Sequence, residues 1–295
     1  MSPRLVWERD GADWPHRAAS RFVQAGGVRW HVQQLGQGPV ALLLHGTGAS
    51  THSWRDLAPL LAVHFTVVMV DLPGHAFSSM PAMPQMTLPG MARATGELTA
   101  ALGMAPALIV GHSAGAAVAV QMVLARHAQA QAIVSLNGAL LPLGGAAGRL
   151  FSPVAKLLTL NPLVPRLFSW LAHDAAAVTR LIDGTGSQID AAGTRQYGRL
   201  VGNPGHVAGA LSMMSNWDLD ALQPRLAELA VPLLLVTGDK DRAVPPAQAE
   251  QVARRVLDAR VLRLAQLGHL AHEEQPRLVA DAVLNFAREA GLPCA

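Results

Sequence analysis

The stretch IVGHSAGAA, residues 109–117, sets one serine between two glycines, after an apolar run and before a run of small residues. The apolar residues favour a buried strand and the alanines favour a helix. A G-x-S-x-G sequence at a strand-to-helix turn holds a serine hydroxyl at the carboxyl edge of a parallel sheet. Its flanking residues must be small, because the turn brings backbone segments together. Ser113 is therefore predicted to be a nucleophile; the alternative is a serine that only serves the turn.

Further buried runs surround this turn on both sides in the chain. They read VALLLH, FTVVMVD, AIVSLN and PLLLVTGD, at 40–45, 65–71, 132–137 and 232–239. Continuous apolar runs that alternate with helical spacing indicate a parallel sheet covered by helices. Two earlier extended runs, SRFVQAGG and VRWHVQQLG, predict a hairpin that turns at Gly26 and Gly27. Helical spacing from Glu273 to Ala290 predicts a final helix.

The alternation of strands and helices stops between residues 138 and 222. There, prolines interrupt apolar stretches that have helical spacing, such as SPVAKLLTLNPLVPRLFSWLA. This segment is predicted to be an inserted helical cap. Residues 1–137 and 223–295 are predicted to form the core.

A nucleophilic serine needs a base, and the base needs an acid that orients it. Asp241 lies in the turn beyond the strand that ends VTGD, where a carboxylate reaches the sheet edge. Asp239 is the rival, with a turn-forming role as its simpler interpretation. The preceding strand ends at Asn137, which carries no charge. Asp241 is therefore the predicted acid.

The base is assigned by its position among twelve histidines. His269, in LGHLAHEEQP, lies in a loop between the last predicted strand and the final helix, whereas His272 is interpreted as a surface or capping residue. The order Ser113, Asp241, His269 is that of α/β-hydrolases. The predicted fold is thus an α/β-hydrolase fold with a mostly parallel eight-stranded sheet, flanking helices and the inserted cap.

An oxyanion hole is predicted from the turn HGTG at residues 45–48, which follows a buried strand. The backbone N–H groups of Thr47 and Ala114 are the predicted donors. His45 is expected to tie the turn together, with a base or metal ligand as the alternative.

The cap sequence is apolar and contains methionine, which predicts an apolar pocket above the nucleophile, although such residues also form the core of a cap. The candidate pocket residues are His45, His112, Phe151, Trp170, Met213, Met214 and Trp217. No metal site or cofactor is expected, because the histidines lack a third ligand at a recognisable spacing.

The composition and charge of the chain argue against some classes of binding partner. The net charge is +3, but the arginines are scattered among acidic residues and form no basic stripe, which argues against nucleic acid. The single cysteine, Cys294, excludes an intramolecular disulfide. A charged N-terminus and the lack of a long apolar stretch predict a cytoplasmic protein without a transmembrane segment. Peripheral attachment to a membrane is left open.

From about Arg21 onward the chain resembles α/β-hydrolases in HGTG, DLPGHAFS, GHSAG, GDKD and LGHLAHEEQP, with Ala76 where glycine is frequent. The chain also resembles the magnesium-chelatase accessory proteins of bacteriochlorophyll biosynthesis. The stretches that carry this resemblance are WHVQQLGQGP, HGTGASTHSWRDLAP, FSPVAKLLTLNPLVPRLF, DGTGSQIDAAG and PGHVAGALSMMSNWDLDAL. That resemblance implies a role near magnesium insertion into protoporphyrin, with a tetrapyrrole as substrate or chelatase subunits as partners. Two hypotheses follow: a serine hydrolase of an apolar acyl compound, or a non-catalytic accessory protein.

Overall fold

The fold is described by a computed structural model over residues 4–142, 163–171 and 174–293. Its strands are β1 Ser20–Ala25, β2 Val28–Leu35, β3 Val40–Leu44, β4 Thr66–Val70, β5 Pro106–His112, β6 Ala132–Leu136, β7 Leu233–Gly238 and β8 Ala259–Leu264. They form one eight-stranded sheet in the order β1-β2-β4-β3-β5-β6-β7-β8. Strand β2 is antiparallel to β1 and β4, and the pairs from β4 to β8 are parallel. The predicted fold class is confirmed.

The central strands are apolar throughout because both faces of the sheet are covered. Leu42, Leu44 and Ile109 pack into the core on one face, and Leu43 and Val110 pack into the core on the other. The predicted hairpin is also present. Its two turn residues, Gly26 and Gly27, both have positive φ, as a tight two-residue hairpin turn requires.

The described helices are α1 Trp7–Asp10, α2 Leu57–Leu61, α3 Leu88–Ala101, α4 Ala114–Leu124, α5 Leu163–Leu171, α6 Ala175–Gly184, α7 Ala191–Val201, α8 Pro204–Ser215, α9 Ala247–Ala253, α10 Ala271–Glu274 and α11 Pro276–Glu289. Short 3₁₀ turns cover Arg17–Ala19, Thr51–Trp54, Met83–Met86 and Gln223–Glu228. Helices α5 to α8 lie between β6 and β7 in the chain, within the predicted cap. The cap boundaries at 138 and 222 stay a prediction.

The C-terminal helix differs from its predicted form. The chain makes two helices, α10 and α11, instead of one from Glu273 to Ala290. Gln275 between them is extended, with φ −137° and ψ 68°. Pro276 explains the break, because proline disfavours helical backbone in the residue before it and is well suited to begin a helix.

The sheet topology fixes where a site can form. The chain runs from β3 to β4 on one side of β3, then crosses to β5 on its other side. The carboxyl ends of β3 and β5 therefore flank a switch point, where open α/β sheets leave a crevice for ligands. The turns that contain Gly46 and Ser113 follow these two strands directly.

None of the helices within residues 4–142, 163–171 and 174–293 combines the length and the apolar character that crossing a bilayer requires.

Candidate active site

Ser113 occupies a strained turn between β5 and α4. Its φ is 51° and its ψ is −117°, a region that non-glycine residues seldom adopt and that is typical of residues held in place for function. The surrounding backbone fixes this conformation. The N–H of Ser113 donates to the Leu136 carbonyl at 3.0 Å, and its own carbonyl accepts from the N–H groups of Ala116 and Ala139, each at 3.1 Å.

The glycines of the elbow are required by close packing. A Cβ on Gly115 would lie 2.0 Å from the Leu44 carbonyl oxygen, and one on Gly111 would lie 2.5 Å from the backbone of Ala116. A Cβ on Gly46 would lie 2.9 Å from the Ser113 Cβ. The turn after β3 therefore passes directly beside the serine.

His269 and Asp241 form a buried hydrogen-bonded pair. The Nδ1–H of His269 donates to Asp241 Oδ2 at 2.8 Å. Asp241 Oδ1 accepts from the N–H groups of Ala243 and Val244 at 2.8 and 2.9 Å. These backbone donors fix the carboxylate in the plane it presents to the imidazole. The arrangement leaves Nε2 as the nitrogen that can take up a proton.

Asn137 is hydrogen-bonded to Asp241 of this pair, although it carries no charge. Its Nδ2–H donates to Asp241 Oδ2 at 2.8 Å and to the Gly268 carbonyl at 3.3 Å. The amide thus supports the acid from the neighbouring strand end. A signal was present in the sequence, because Asn137 ends the strand between those that lead to Ser113 and Asp241.

The loop that carries His269 is held against the elbow by the residue next to Ser113. His112 Nε2–H donates to the His269 carbonyl at 2.9 Å, and the two rings lie 4.7 Å apart. The His272 ring lies 4.5 Å from that of His112, tilted by 47°. It is buried instead of lying at the surface, which corrects its predicted place.

Burial keeps these two neighbouring rings neutral. It lowers the pKa of His112 well below its usual range and that of His272 to about 3, and nearby histidines add to both shifts. Neutral rings beside His269 place no fixed positive charge next to the imidazole that is predicted to accept a proton.

The turn at residues 45–48 presents free donors beside Ser113. Among the described residues, neither the Thr47 N–H nor the Ala114 N–H donates a hydrogen bond to another protein group. Ala114 begins α4, so its N–H points out of the helix end, where the dipole favours negative charge. The two groups predicted as oxyanion donors are thus available, and their role stays a prediction.

His45 ties this turn together. Its Nδ1–H donates to the Gly46 carbonyl at 2.7 Å, and its Nε2 accepts from the Leu72 N–H at 2.9 Å. Burial lowers its pKa, although Asp71 opposes the shift. Both nitrogens are in use and the side chain is fully buried, which corrects its prediction as a pocket residue.

His206, on α8, is a positioning residue that the sequence pattern did not reveal. Its Nδ1 accepts from the Ala76 N–H at 2.9 Å, and its Nε2–H donates to the Gly48 carbonyl at 3.0 Å. Burial lowers its pKa to about 4, so the ring is neutral and can accept and donate at once. One side chain therefore connects α8 to the two loops that follow β3 and β4.

The other candidate pocket residues differ in how far they are buried. Met213 is fully buried in the core, where its sulfur lies 3.5 Å from the Thr47 hydroxyl, so it packs against the turn at residues 45–48 instead of lining a cavity. His112 is likewise buried. Trp170 is largely exposed, which corrects its prediction as a pocket residue. Met214 and Trp217 are partly buried and stay candidates. Phe151 lies outside the described residues.

A largely buried Ser-His-Asp hydrogen-bonded network lies elsewhere in the fold, at Ser20, His31 and Asp71. His31 Nδ1–H donates to Asp71 Oδ2 at 2.8 Å, and its Nε2 lies 3.0 Å from Ser20 Oγ. Burial alone would raise the pKa of Asp71, but His31 and His45 lower it to about 2. Ser20 begins strand β1 directly after the 3₁₀ turn Arg17–Ala19, and its extended backbone, with φ −85° and ψ 140°, is not a strand-to-helix elbow. This network therefore contains the residue types of the predicted triad but lacks the elbow.

Metal ligation has no support in the described part of the chain, where no group of three or more His, Cys, Asp or Glu side chains is placed to hold an ion.

Comparison with known proteins agrees with this geometry. The α/β hydrolase fold family matches residues 39–276. The chain is 39% identical over 288 residues to the magnesium-chelatase 30 kDa subunit of Rhodobacter capsulatus, covering 97% of this chain and 99% of that protein. It is 26% identical over 278 residues to 2-hydroxy-6-oxo-6-phenylhexa-2,4-dienoate hydrolase of Burkholderia cepacia, covering 88% and 91% of the two chains.

Among solved structures, an α/β hydrolase fold protein from Burkholderia ambifaria superposes with a TM-score of 0.76 at 22% identity, over 97% of this chain and 100% of that one. Its level of identity supports the fold alone. The family match and the 39% identity show that the chain belongs to the α/β-hydrolase fold family, in the group that includes the magnesium-chelatase 30 kDa subunit.

Proposed function

We propose that this protein is a serine hydrolase that cleaves an ester or related acyl bond of an apolar molecule at the magnesium-insertion stage of bacteriochlorophyll biosynthesis. The observation that carries the proposal is the His269–Asp241 hydrogen bond beside the strained Ser113 elbow. The pathway assignment draws on the similarity to the magnesium-chelatase 30 kDa subunit. That similarity also makes a tetrapyrrole the proposed substrate class and chelatase subunits the proposed partners.

The chemistry would proceed in two acyl-transfer steps. Ser113 Oγ attacks the acyl carbon while His269 Nε2 takes its proton, and Asp241 stabilises the resulting imidazolium. The bond to the leaving alcohol then breaks as His269 returns the proton to the alcohol oxygen. A water molecule, deprotonated by the same nitrogen, attacks the acyl-enzyme. The acyl–Oγ bond then breaks as His269 returns the proton to Ser113 Oγ, which releases the acid and free Ser113.

The oxyanion that forms in each step would lie between the Thr47 and Ala114 N–H groups. Both donors are free of other protein partners in the described residues. Donors fixed before the reaction stabilise developing charge without reorganisation, and losing one typically costs about 100 to 1,000-fold in rate. His45 and His206 hold this turn in place, since each donates a hydrogen bond to a carbonyl of the HGTG sequence.

The apolar nature of the substrate is inferred from the candidate pocket residues that are not fully buried. Met214, on α8, and Trp217, just after it, are partly buried apolar side chains. Burial of apolar ligand surface contributes roughly 25 cal/mol per Å² before the costs of association. Larger apolar acyl compounds should therefore bind better than small polar esters.

The second candidate function is a non-catalytic accessory role, in which the protein binds a porphyrin or a chelatase subunit and the hydrolase residues are unused. The 39% identity to a chelatase subunit favours this alternative.

Covalent labelling separates the two candidates at the level of chemistry. A fluorophosphonate with a long alkyl chain and the smaller phenylmethylsulfonyl fluoride should both modify Ser113, located by mass spectrometry of the digested protein. The His269→Ala variant should lose the label because the hydroxyl is no longer deprotonated.

Ser20 serves as an internal control, since it is hydrogen-bonded to a His–Asp pair but does not lie at an elbow. Its peptide should stay unmodified. Absence of label at Ser113 with both probes, or equal labelling in His269→Ala, would refute the catalytic proposal and favour the accessory role.

A further inference from the structure

The linker at residues 185–190 joins α6 to α7 and packs against the loops that carry Asp241 and His269. The carbonyl of Thr185 accepts from the N–H of Arg242 at 3.1 Å and from the N–H of His269 at 3.4 Å. One carbonyl of the inserted segment therefore bonds the backbone of the predicted base and that of the residue after the predicted acid.

Ser187 adds a side-chain contact to the loop of the base. It is fully buried, and its Oγ accepts from the Leu270 N–H at 2.8 Å. The Leu270 side chain belongs to a buried cluster that includes Ile182 of α6 and Tyr197 of α7. A buried N–H without a partner is costly, so this bond holds the residue after His269 to the linker.

The linker passes the other two loops at distances that only glycine allows. Gly186 has a φ of +84°, and a Cβ on it would lie 1.9 Å from the Lys240 carbonyl oxygen. A Cβ on Gly268, the residue before His269, would lie 2.3 Å from the backbone of Gly186. The linker, the acid loop and the base loop are therefore in direct backbone contact, and a shift of one displaces another.

The far end of the linker is held by ion pairs. Asp190 caps α7 through the Gly193 N–H and pairs with Arg55 at 2.9 Å. Arg55 also pairs with the buried carboxylate of Glu273 on α10, the helix that follows His269. The linker and the helix after the base therefore share one guanidinium.

The backbone of His269 is thus anchored from two sides. Its carbonyl accepts from His112, next to Ser113, and its N–H donates to Thr185. The imidazole in turn bonds Asp241 at 2.8 Å. A base acts only within hydrogen-bond reach of the proton that it takes, and a misplacement of about 1 Å can cost roughly 100-fold in rate. The position of the linker therefore bears on the position of the base.

We propose that the 185–190 linker positions the His269 imidazole beside Asp241, with Gly186 and Ser187 as its positioning residues. The inference deepens the proposed hydrolase function and rests on it, because it takes His269 to be the base. The contacts exist in the resting protein, so the positioning can be measured without turnover.

The first test compares two glycine variants of the full-length protein. Gly186→Ala places a methyl group against the Lys240 carbonyl at a φ that alanine seldom adopts, whereas a Cβ on Gly184 meets nothing within 4 Å. By NMR, the Nδ1 proton of His269 should exchange with solvent faster in Gly186→Ala and at the wild-type rate in Gly184→Ala. With a long-chain aryl ester, Gly186→Ala should lower kcat by roughly 100-fold with little change in KM.

Ser187→Ala is a milder change that removes one acceptor from the base loop. It should lower kcat by about tenfold and speed the same proton exchange. Its matched control is Ser215→Ala, which removes another buried serine hydroxyl, bonded to the Ser212 carbonyl at the end of α8. This control should leave both quantities unchanged. All spectra are recorded below the melting temperature of each variant, and Ser187→Ala decides the outcome if Gly186→Ala does not fold.

Wild-type proton exchange in the folded linker variants would overturn the proposal. Equal effects in Gly184→Ala and Ser215→Ala would also overturn it, because a general loss of stability would then explain them. Faster exchange confined to the linker variants would support the positioning. That result would stand even if Ser113 of the wild type took up no label, the outcome that refutes the proposed function.

Discussion

Replacing Ser113 with alanine is expected to lower kcat for a long-chain aryl ester by on the order of a million-fold, the loss seen when a serine nucleophile is removed from a triad. The substitution deletes one hydroxyl oxygen at a turn already packed against small residues. It leaves Cβ, and therefore the contact with the turn at Gly46, unchanged. The oxyanion donors and the binding surface persist, so a residual rate above that in water should remain.

Steady-state kinetics and thermal unfolding of the same preparations measure this effect. The melting temperature should move little, because the elbow is held by backbone bonds from Ala116, Leu136 and Ala139. Ser20→Ala is the matched control, since it removes a serine from the Ser20–His31–Asp71 network, and its kcat should match the wild type. A Ser113→Ala enzyme with undiminished kcat would show that hydrolysis occurs elsewhere or by another route.

Asp241→Asn should reduce kcat by roughly ten-thousand-fold while preserving the fold, as expected when an acid no longer orients the base. Oδ1 accepts two backbone N–H groups, so the new amide nitrogen must replace Oδ2, which faces His269. An amide at this position donates to Nδ1 and forces the proton onto Nε2. The imidazole is then unable to accept the Ser113 proton.

Asn137 limits the structural cost of that substitution. Its Nδ2 faces the same Asp241 oxygen, and its buried Oδ1 has no partner among the described residues. A flip of the Asn137 amide would turn this oxygen toward the new nitrogen and restore a hydrogen bond.

Asp239→Asn is the matched control for this experiment. Asp239 is partly exposed and pairs with Arg263 at 2.7 Å, away from the imidazole. Its variant should retain nearly full kcat. Equal loss of activity in both variants would mean that the assignment of the acid is wrong.

Much of this fold could be predicted because its signals are local. A strand buried on both faces is a short apolar run wherever it occurs, and β3 to β7 all read that way. The elbow is equally local, since its glycines are required by neighbours within a few ångströms. The chain order of Ser113, Asp241 and His269 then constrained the base and acid without knowledge of any contact.

Contacts between distant segments could not be predicted in the same way. His206 reaches Gly48 across 158 positions, and nothing in the helix around it indicates that partner. Trp170 was predicted in a pocket because apolar side chains usually turn inward, but α5 turns the opposite face toward the protein. Asn137 was set aside for its lack of charge, although its value lies in donating to a carboxylate.

The sequence therefore predicts which chemical groups lie at the sheet edge more reliably than it predicts which segments of the chain cover those groups. Residues at the ends of parallel strands share an edge by construction. The orientation of a helix in an inserted segment depends on partners that its own pattern does not specify.

The proposal that this protein acts in bacteriochlorophyll formation through acyl chemistry at Ser113 is tested most directly by complementation. A photosynthetic bacterium that lacks its own homologue would receive either the wild-type gene or Ser113→Ala, with protein levels matched by immunoblot. Bacteriochlorophyll and protoporphyrin would then be quantified in both strains. The wild type should restore the pigment, whereas Ser113→Ala should fail to do so and leave protoporphyrin elevated. Full pigment recovery with Ser113→Ala would contradict the claim.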